Sequence, residues 1–168
     1  MTKPNNTGIT AERLKELIHY DGEAGVFTRI THVCGRAKVG DVAGTLNHGY
    51  LQICIDYKYY RAHRLAWLYT HGRWPVAYID HINGNRSDNR LCNLREANRS
   101  ENNQNVRKSQ SNSATKLLGS SFHKNSGSFT ARIQINHKLI CLGYYPTALE
   151  AHQAYLAAKR LHHPFSTL

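Results

Sequence analysis

Residues 77–105 constrain this chain more than any others, because within them IDHINGNRSDNRLCNL is followed directly by REANRSENNQN. Asn83-Gly84-Asn85 is a strong turn signal, since asparagine and glycine accept the backbone conformations of a tight reversal. Val76 to Ile79 reads as the strand entering that turn, and Leu91, Cys92 and Leu94 as a short strand returning from it. Asn93 falls inside the return, where an amide can bond backbone across the hairpin. Asn98 with Glu101 three residues later has the form of a capping box, so a helix should begin there, with Asn102 in its first turn. The expected unit is two strands and a helix arranged around Asp80 and His81.

Asp80 and His81 bring two different chemistries to one place. A neutral imidazole can take a proton from water near neutral pH. A carboxylate is a hard oxygen ligand for a cation such as magnesium. Phosphodiester hydrolysis needs both: a base for the attacking water, and a cation on the scissile phosphate and the leaving oxygen. Neighbours on a regular strand point to opposite faces, so the pair shares one task only where the strand twists or ends, as it does before Asn83. Alone, an Asp-His pair ahead of an Asn-Gly turn is usually a solvated hairpin. The argument for chemistry is the ordered constellation of helix, Asp-His, turn, asparagine, apolar return and capped asparagine-bearing helix.

In type and spacing, His81, Asn93 and Asn102 resemble the signature of the HNH endonucleases, the ββα-metal nucleases common in phages and mobile introns, in the variant whose last ligand is asparagine. HRLAWLYTHGRWP, His63 to Pro75, is similar to the helix that introduces such sites in phage proteins. The resemblance implies that His81 is the general base, that Asp80 and Asn102 hold a divalent metal, and that Asn93 braces the hairpin. Asn103 and Asn105 compete with Asn102 as second ligand. Magnesium is the expected ion, with manganese as the other candidate. The implied activity is nicking or double-strand cutting of double-stranded DNA by a homing-type enzyme, leaving 5′-phosphate and 3′-hydroxyl ends. The other class is a non-catalytic DNA-binding regulator on an HNH scaffold. An RNA substrate is a third reading, for which no RNA-recognition aromatic signature is visible.

The rest of the chain suits a polyanion. Its 168 residues carry 22 Lys plus Arg against 11 Asp plus Glu, a formal net charge of +11, with 11 histidines besides. Arg64, Arg86, Arg90 and Arg95 surround the proposed site and are candidate phosphate contacts, although each alone reads more readily as a solvated charge than as an essential contact. No apolar run approaches the roughly 20 residues of a membrane span, and no basic-then-apolar leader opens the sequence. We expect a soluble protein of the cytoplasm, a bacterial host's if phage-encoded, acting as monomer or homodimer without membrane contact. Cys34, Cys54, Cys92 and Cys141 include no CxxC, so no zinc ribbon is expected; they read as reduced, partly buried thiols.

In chain order, residues 1–8 are polar and expected to be disordered. Thr10 looks like the N-cap of a short helix with Leu14, Leu17 and Ile18 on one face. Residues 1–61 otherwise read as a β-rich leader: turns at Asp21-Gly22 and Ala24-Gly25, a strand over Val26 to Ile30, and a half-buried strand over Tyr50 to Asp56. The basic-aromatic cluster Tyr57 to Arg61 is either a hairpin end or a nucleic-acid clamp. His63 to Gly72 should be a helix stopped by Gly72 and Pro75, with His63 structural. The nuclease core spans 62–108. Its helix should run out, with Arg107 and Lys108 along DNA, into a linker at 109–116.

Residues 117–168 form a separate module. Leu118 to Phe122, Ser128 to Asn136 and Leu139 to Tyr145 read as three strands, and Thr147 with Glu150 caps a helix striped with Ala151, Ala154, Tyr155 and Ala158. Gly119, FTARIQI and CLGYYPTALEAHQAYLAAKRL resemble the DNA-binding domain of the plant Apetala-two/ethylene-response factors, which also occurs fused to HNH nucleases. The resemblance implies a sheet that enters the major groove, with Ser121, His123, Arg132, Gln134 and Lys138 as candidate DNA contacts. Fewer arginines and no tryptophan on the sheet leave the target preference untransferred, and a packing module that only stabilises the nuclease is the lesser alternative. The expected fold class is α+β: a β-rich N-terminal part, a ββα-metal core, then a three-stranded antiparallel sheet packed on one helix.

Overall fold

The computed structural model describes residues 8–32 and 37–168, so the polar segment before Gly8 and Cys34 lie outside the described residues. The described residues are mixed α and β, with small antiparallel sheets and four α-helices, and the chain divides into two compact units, Met1–Asn98 and Arg99–Leu168. The division falls inside the expected nuclease core. Among the described residues no helix is long and apolar enough to cross a membrane.

In the first unit, α1 (Ala11–Leu17) starts where the Thr10 hydroxyl accepts from the Arg13 N–H at 3.2 Å. It ends one residue earlier than its apolar periodicity suggests. Ile18 turns extended, at φ −142° and ψ 134°, and opens β1 (Ile18–Asp21), which pairs with β2 (Val26–Arg29). A second sheet in the order β3-β4-β5 follows: β3 (Thr45–Asn47), β4 (Tyr50–Ile55) and β5 (Lys58–Arg61). Asp56 and Tyr57 take positive φ and turn β4 into β5, so the basic-aromatic cluster is a hairpin end. Then α2 (Ala62–His71) runs to a left-handed Gly72.

One apolar cluster unites these pieces. Leu14, Ile18, Phe27, Ile53, Ile55, Ala62, Leu65 and Ala66 are all fully buried in it, and Ile79 and Leu94 extend it to the next hairpin. Burying each of the larger side chains stabilises the unit by about 1.5–3 kcal/mol. That hairpin is β6 (Tyr78–His81) on β7 (Leu94–Ala97), with Asp80 opposite Arg95 and His81 opposite Leu94. Two expectations need correction. Val76 and Ala77 precede the strand, where the Val76 N–H is held by the Glu96 carboxylate at 2.8 Å. Leu91–Asn93 is a single 3-10 turn and not part of the return strand, because the Asn93 N–H closes back on the Arg90 carbonyl at 2.9 Å.

In the second unit, α3 (Arg99–Gln104) follows directly on Asn98 but is only six residues long, shorter than the expected catalytic helix. β8 (Ser120–His123), β9 (Ser128–Ile135) and β10 (Lys138–Tyr145) form a sheet in the order β10-β9-β8, and α4 (Ala148–His162) packs on it. The Thr147 hydroxyl caps α4 by accepting from the Glu150 N–H at 3.2 Å. Ala131, Ile133 and Ala151 are fully or almost fully buried, as the alternation in β9 requires. Thr130 breaks the alternation: it is 1% exposed, yet lies 2.9 Å from the Ser121 hydroxyl, which satisfies its own. Cys54, Cys92 and Cys141 are free thiols; Cys54 is half-buried, but Cys92 and Cys141 are exposed, unlike the expected partly buried cysteines.

Candidate functional site

The loop between β6 and β7 is shaped by its asparagines. The Asn83 side chain accepts from the Asn85 N–H at 2.8 Å, and the Asn85 side chain from the Ser87 N–H at 3.1 Å. These local bonds give the chain a turn where a ladder would otherwise continue. Asn93 closes the loop from its far end. Its side-chain oxygen accepts from the Asn83 N–H, its amide nitrogen donates to the Asp88 carbonyl, and its own carbonyl accepts from the Ile82 N–H, each at 2.9 Å. Asn93 thus ties both ends of the loop together from a 3-10 turn. Asp88 takes the side chains of Asn83 and Arg90 at 2.7 Å, and the hydrogen bond from Arg90 holds its carboxyl well below the usual range.

His81 stands at the end of β6, 4% exposed. Its Nε2 faces the Asn89 side-chain oxygen at 3.5 Å, the long limit of a hydrogen bond. Asn89 is buried; its backbone carbonyl accepts from the Tyr20 hydroxyl at 2.6 Å and its amide nitrogen donates to the Ser87 carbonyl. Burial pushes the His81 imidazole below its ordinary pKa, so the neutral form that a base requires prevails. His63, on the first turn of α2, meets His81 edge-on with ring centroids 5.0 Å apart. Burial first, and then the charges of His81, Arg64 and Arg61, push His63 down to about 3. Tyr50 completes the group, 5.4 Å from His63 and 6.1 Å from His81.

Asp80 is buried beside His81, and Arg95 across the hairpin donates to its Oδ2 from two nitrogens at 3.0 and 2.8 Å. The four arginines expected at phosphates therefore separate. Arg95 and Arg90 are bound to carboxylates, Asp80 and Asp88. Arg64 is half-buried over the Trp74 ring, and Arg86 lies over Tyr50. Asp80, His81 and Asn93 are thus gathered in the first unit.

Asn102 and Asn103 stand on α3 in the second unit, with a buried Asn105 just beyond. Arg107 and Lys108 line a cleft there with Ser109, Lys116 and His152. On the sheet, register puts Ser121 opposite Thr130, His123 opposite Ser128, Arg132 opposite Cys141 and Gln134 opposite Leu139, all on one face. Lys138 pairs with Ile135 and falls on the other face. The His123 ring packs on Tyr144 at 5.2 Å.

Asn89, His63 and Tyr50 are the site residues that sequence reasoning missed. Only His63 carried a legible sign: it shares the buried stripe of α2 with Ala66, and a histidine on an apolar stripe needs a reason. Among the described residues no three His, Cys, Asp or Glu side chains gather as a metal cluster. No curated protein and no solved structure matches the chain. Residues 60–104, from the end of β5 through α3, match the family model described as HNH endonuclease. That match implies nuclease activity on nucleic acid for the matched stretch.

Proposed function

We propose that this protein is a metal-dependent DNA endonuclease in which His81 activates the attacking water. The observation that carries the reading is His81 itself: a buried, neutral imidazole at a strand end, beside a buried carboxylate, inside the stretch that matches the HNH family. Asn89 facing Nε2 favours the tautomer with its proton there, which leaves the Nδ1 lone pair as the base. Asn93 fixes the loop that holds both residues.

Asp80 and Asn102 are the proposed metal ligands. A carboxylate and an amide oxygen are hard donors, and such a sparse set suits magnesium, which takes one or two carboxylates and keeps water and phosphate oxygens for the rest. Manganese accepts the same donors. When bound, the ion supplies positive charge to the scissile phosphate and the leaving 3′-oxygen. Resemblance to homing-type HNH enzymes of phages supports 5′-phosphate and 3′-hydroxyl products. The exposed face of the second sheet, with Ser121, His123, Arg132 and Gln134, is the proposed duplex-reading surface, and the +11 charge supports it.

One observation favours a second reading, a DNA-binding regulator that keeps the fold without the chemistry: Arg95 already occupies the Asp80 carboxylate. Supercoiled plasmid incubated with the protein, with magnesium or with chelator, decides between them. The nuclease reading expects magnesium-dependent open-circle or linear DNA, absent for His81→Ala, which still shifts duplex in a gel. A salt-sensitive gel shift without any cleavage favours the regulator. Parallel loss of binding in His81→Ala would count against His81 as a base.

A further inference from the structure

The proposed nuclease needs more than a base and a metal; it needs the substrate strand held still beside them. Most of the ion-pairing in the first unit removes arginines from that task. Arg13 is bound to Asp56 and Glu16, Arg73 to Glu96, Arg90 to Asp88, and Arg95 to Asp80. Arg61 and Arg86 are different. Among the described residues neither has a carboxylate partner, and both bring the guanidinium to the same ring, with centres 4.7 and 4.9 Å from the Tyr50 centroid. Those distances place the two cations at most about 10 Å apart. They arrive from separate elements, Arg61 from the end of β5 and Arg86 from the loop after β6.

Two like charges gathered on one ring without an anion are an unbalanced arrangement, and an arginine fork is suited to phosphate oxygens. The surroundings add to the imbalance. Arg61 is also the N-cap of the ten-residue α2, whose first N–H groups receive no side-chain cap. His63, on that same first turn, is 8% exposed, and its Nδ1 has no hydrogen-bond partner. Tyr50, which carries both cations, is 6.1 Å from His81.

We propose that Arg61 and Arg86, ordered by Tyr50, form a clamp for a backbone phosphate of the cleaved strand, next to the scissile one at His81. The clamp rests on the nuclease reading for which phosphate is attacked, but not for whether a phosphate is held. Arg61 is anchored independently, its Nη1 donating to the Asn47 carbonyl at 3.0 Å, whereas Arg86 reaches Tyr50 from an exposed loop.

The test measures affinity of the full chain for a duplex fragment in chelator, across a series of potassium chloride concentrations. Each phosphate contact contributes about 0.9 to the slope of log affinity on log salt. Arg61→Gln with Arg86→Gln should therefore flatten the slope by about 0.9, the share of the one clamped phosphate, and Arg86→Gln alone by part of that. Arg61→Lys should keep the wild-type slope, which separates charge from any loosening of the β3–β4 hairpin. Thermal melts of each variant report folding, and Arg86→Gln, made on an exposed loop, carries the test alone if Arg61→Gln unfolds. A double variant that is folded and retains the wild-type slope overturns the clamp, even where the wild type cleaves plasmid. A flattened slope in a protein that never cleaves keeps the clamp and removes the nuclease reading instead.

Discussion

Two histidines pack edge to face in a buried setting, and both are pressed toward neutrality. His63 falls from its ordinary 6.5 to about 3, chiefly through burial. An unfolded chain would protonate His63 near 6.5, whereas the folded one resists until about 3. Below 6.5 the unfolded state therefore binds more protons, so the stability present above 6.5 is lost as pH falls toward 3. Each pH unit in that window costs up to about 1.4 kcal/mol. Urea midpoints at pH 7 and pH 5 should fall steeply for the wild type and less steeply for His63→Gln; equal falls would show that His63 titrates normally. Arg95 supports a second expectation. Arg95→Gln removes the cation from Asp80, so manganese, followed by titration calorimetry without DNA, should bind more tightly. Unchanged or weaker binding would mean that Arg95 orients the carboxylate without competing for it. Asp80, His81 and Asn93 were legible because residue type and spacing carry their chemistry. Asn89 was not, being one asparagine among many and chosen only by the fold of the loop. The Asp80–Arg95 pair was hidden for a related reason, since it follows from a cross-strand register that a one-residue slip would abolish.

The β1–β2 hairpin lies outside the matched stretch, yet it holds the loop that carries Asn89. The Leu91 N–H donates to the Gly22 carbonyl at 2.9 Å, and Tyr20 reaches the Asn89 carbonyl from the adjoining strand. Gly25 makes this close approach possible. Its φ is +71°, and a Cβ there would stand 2.5 Å from the Arg90 backbone nitrogen. Gly25→Ala must therefore strain the turn by about 1–3 kcal/mol and push the loop away as well. We expect a lower thermal midpoint together with a fall in cleavage that exceeds the fall in duplex binding. Full activity in a folded Gly25→Ala protein would show that the hairpin does not position Asn89. Elements with strong punctuation were legible: Thr10 and Thr147 begin helices, and Gly72 ends one. Leu91 and Cys92 were misread as strand because with Leu94 they put three apolar or thiol side chains near a turn, which suggests pairing, while the hydrogen bonds of Asn93 decide otherwise. Ile18 was misread because one position satisfies both a helical stripe and the start of a buried strand.

At the scale of the whole chain, composition made a nucleic-acid partner legible, but not how the pieces divide. Residues 98–113 hold a single apolar side chain, Val106, so a helix running out into a linker at 109–116 was the natural expectation. In the second unit, residues 104–107, just ahead of that stretch, are fastened by residues 159–167. The Phe165 N–H donates to the Gln104 side chain at 3.3 Å, the Thr167 hydroxyl donates to the Asn105 side chain at 3.0 Å, and Arg107 donates to Thr167. Lys159 adds to this tie by donating to the Val106 carbonyl at 2.5 Å, and its burial, with Arg107 nearby, lowers its pKa to about 8. Polar contacts between residues 60 positions apart leave no hydrophobic pattern to read, which is why this join was invisible. It bears on function because the held segment follows directly on α3 and Asn102. Deleting residues 165–168 removes the Gln104, Asn105 and Arg107 partners while leaving β8–β10 and α4 intact. If Asn102 is a metal ligand whose helix depends on that hold, the shortened protein should bind duplex nearly as well as the full chain but require more magnesium for half-maximal cleavage. Adding magnesium should then restore its rate. A shortened protein with an unchanged magnesium requirement would place the ligand function away from α3, whereas an equal loss of binding would return the tail to the sheet and its hold on DNA.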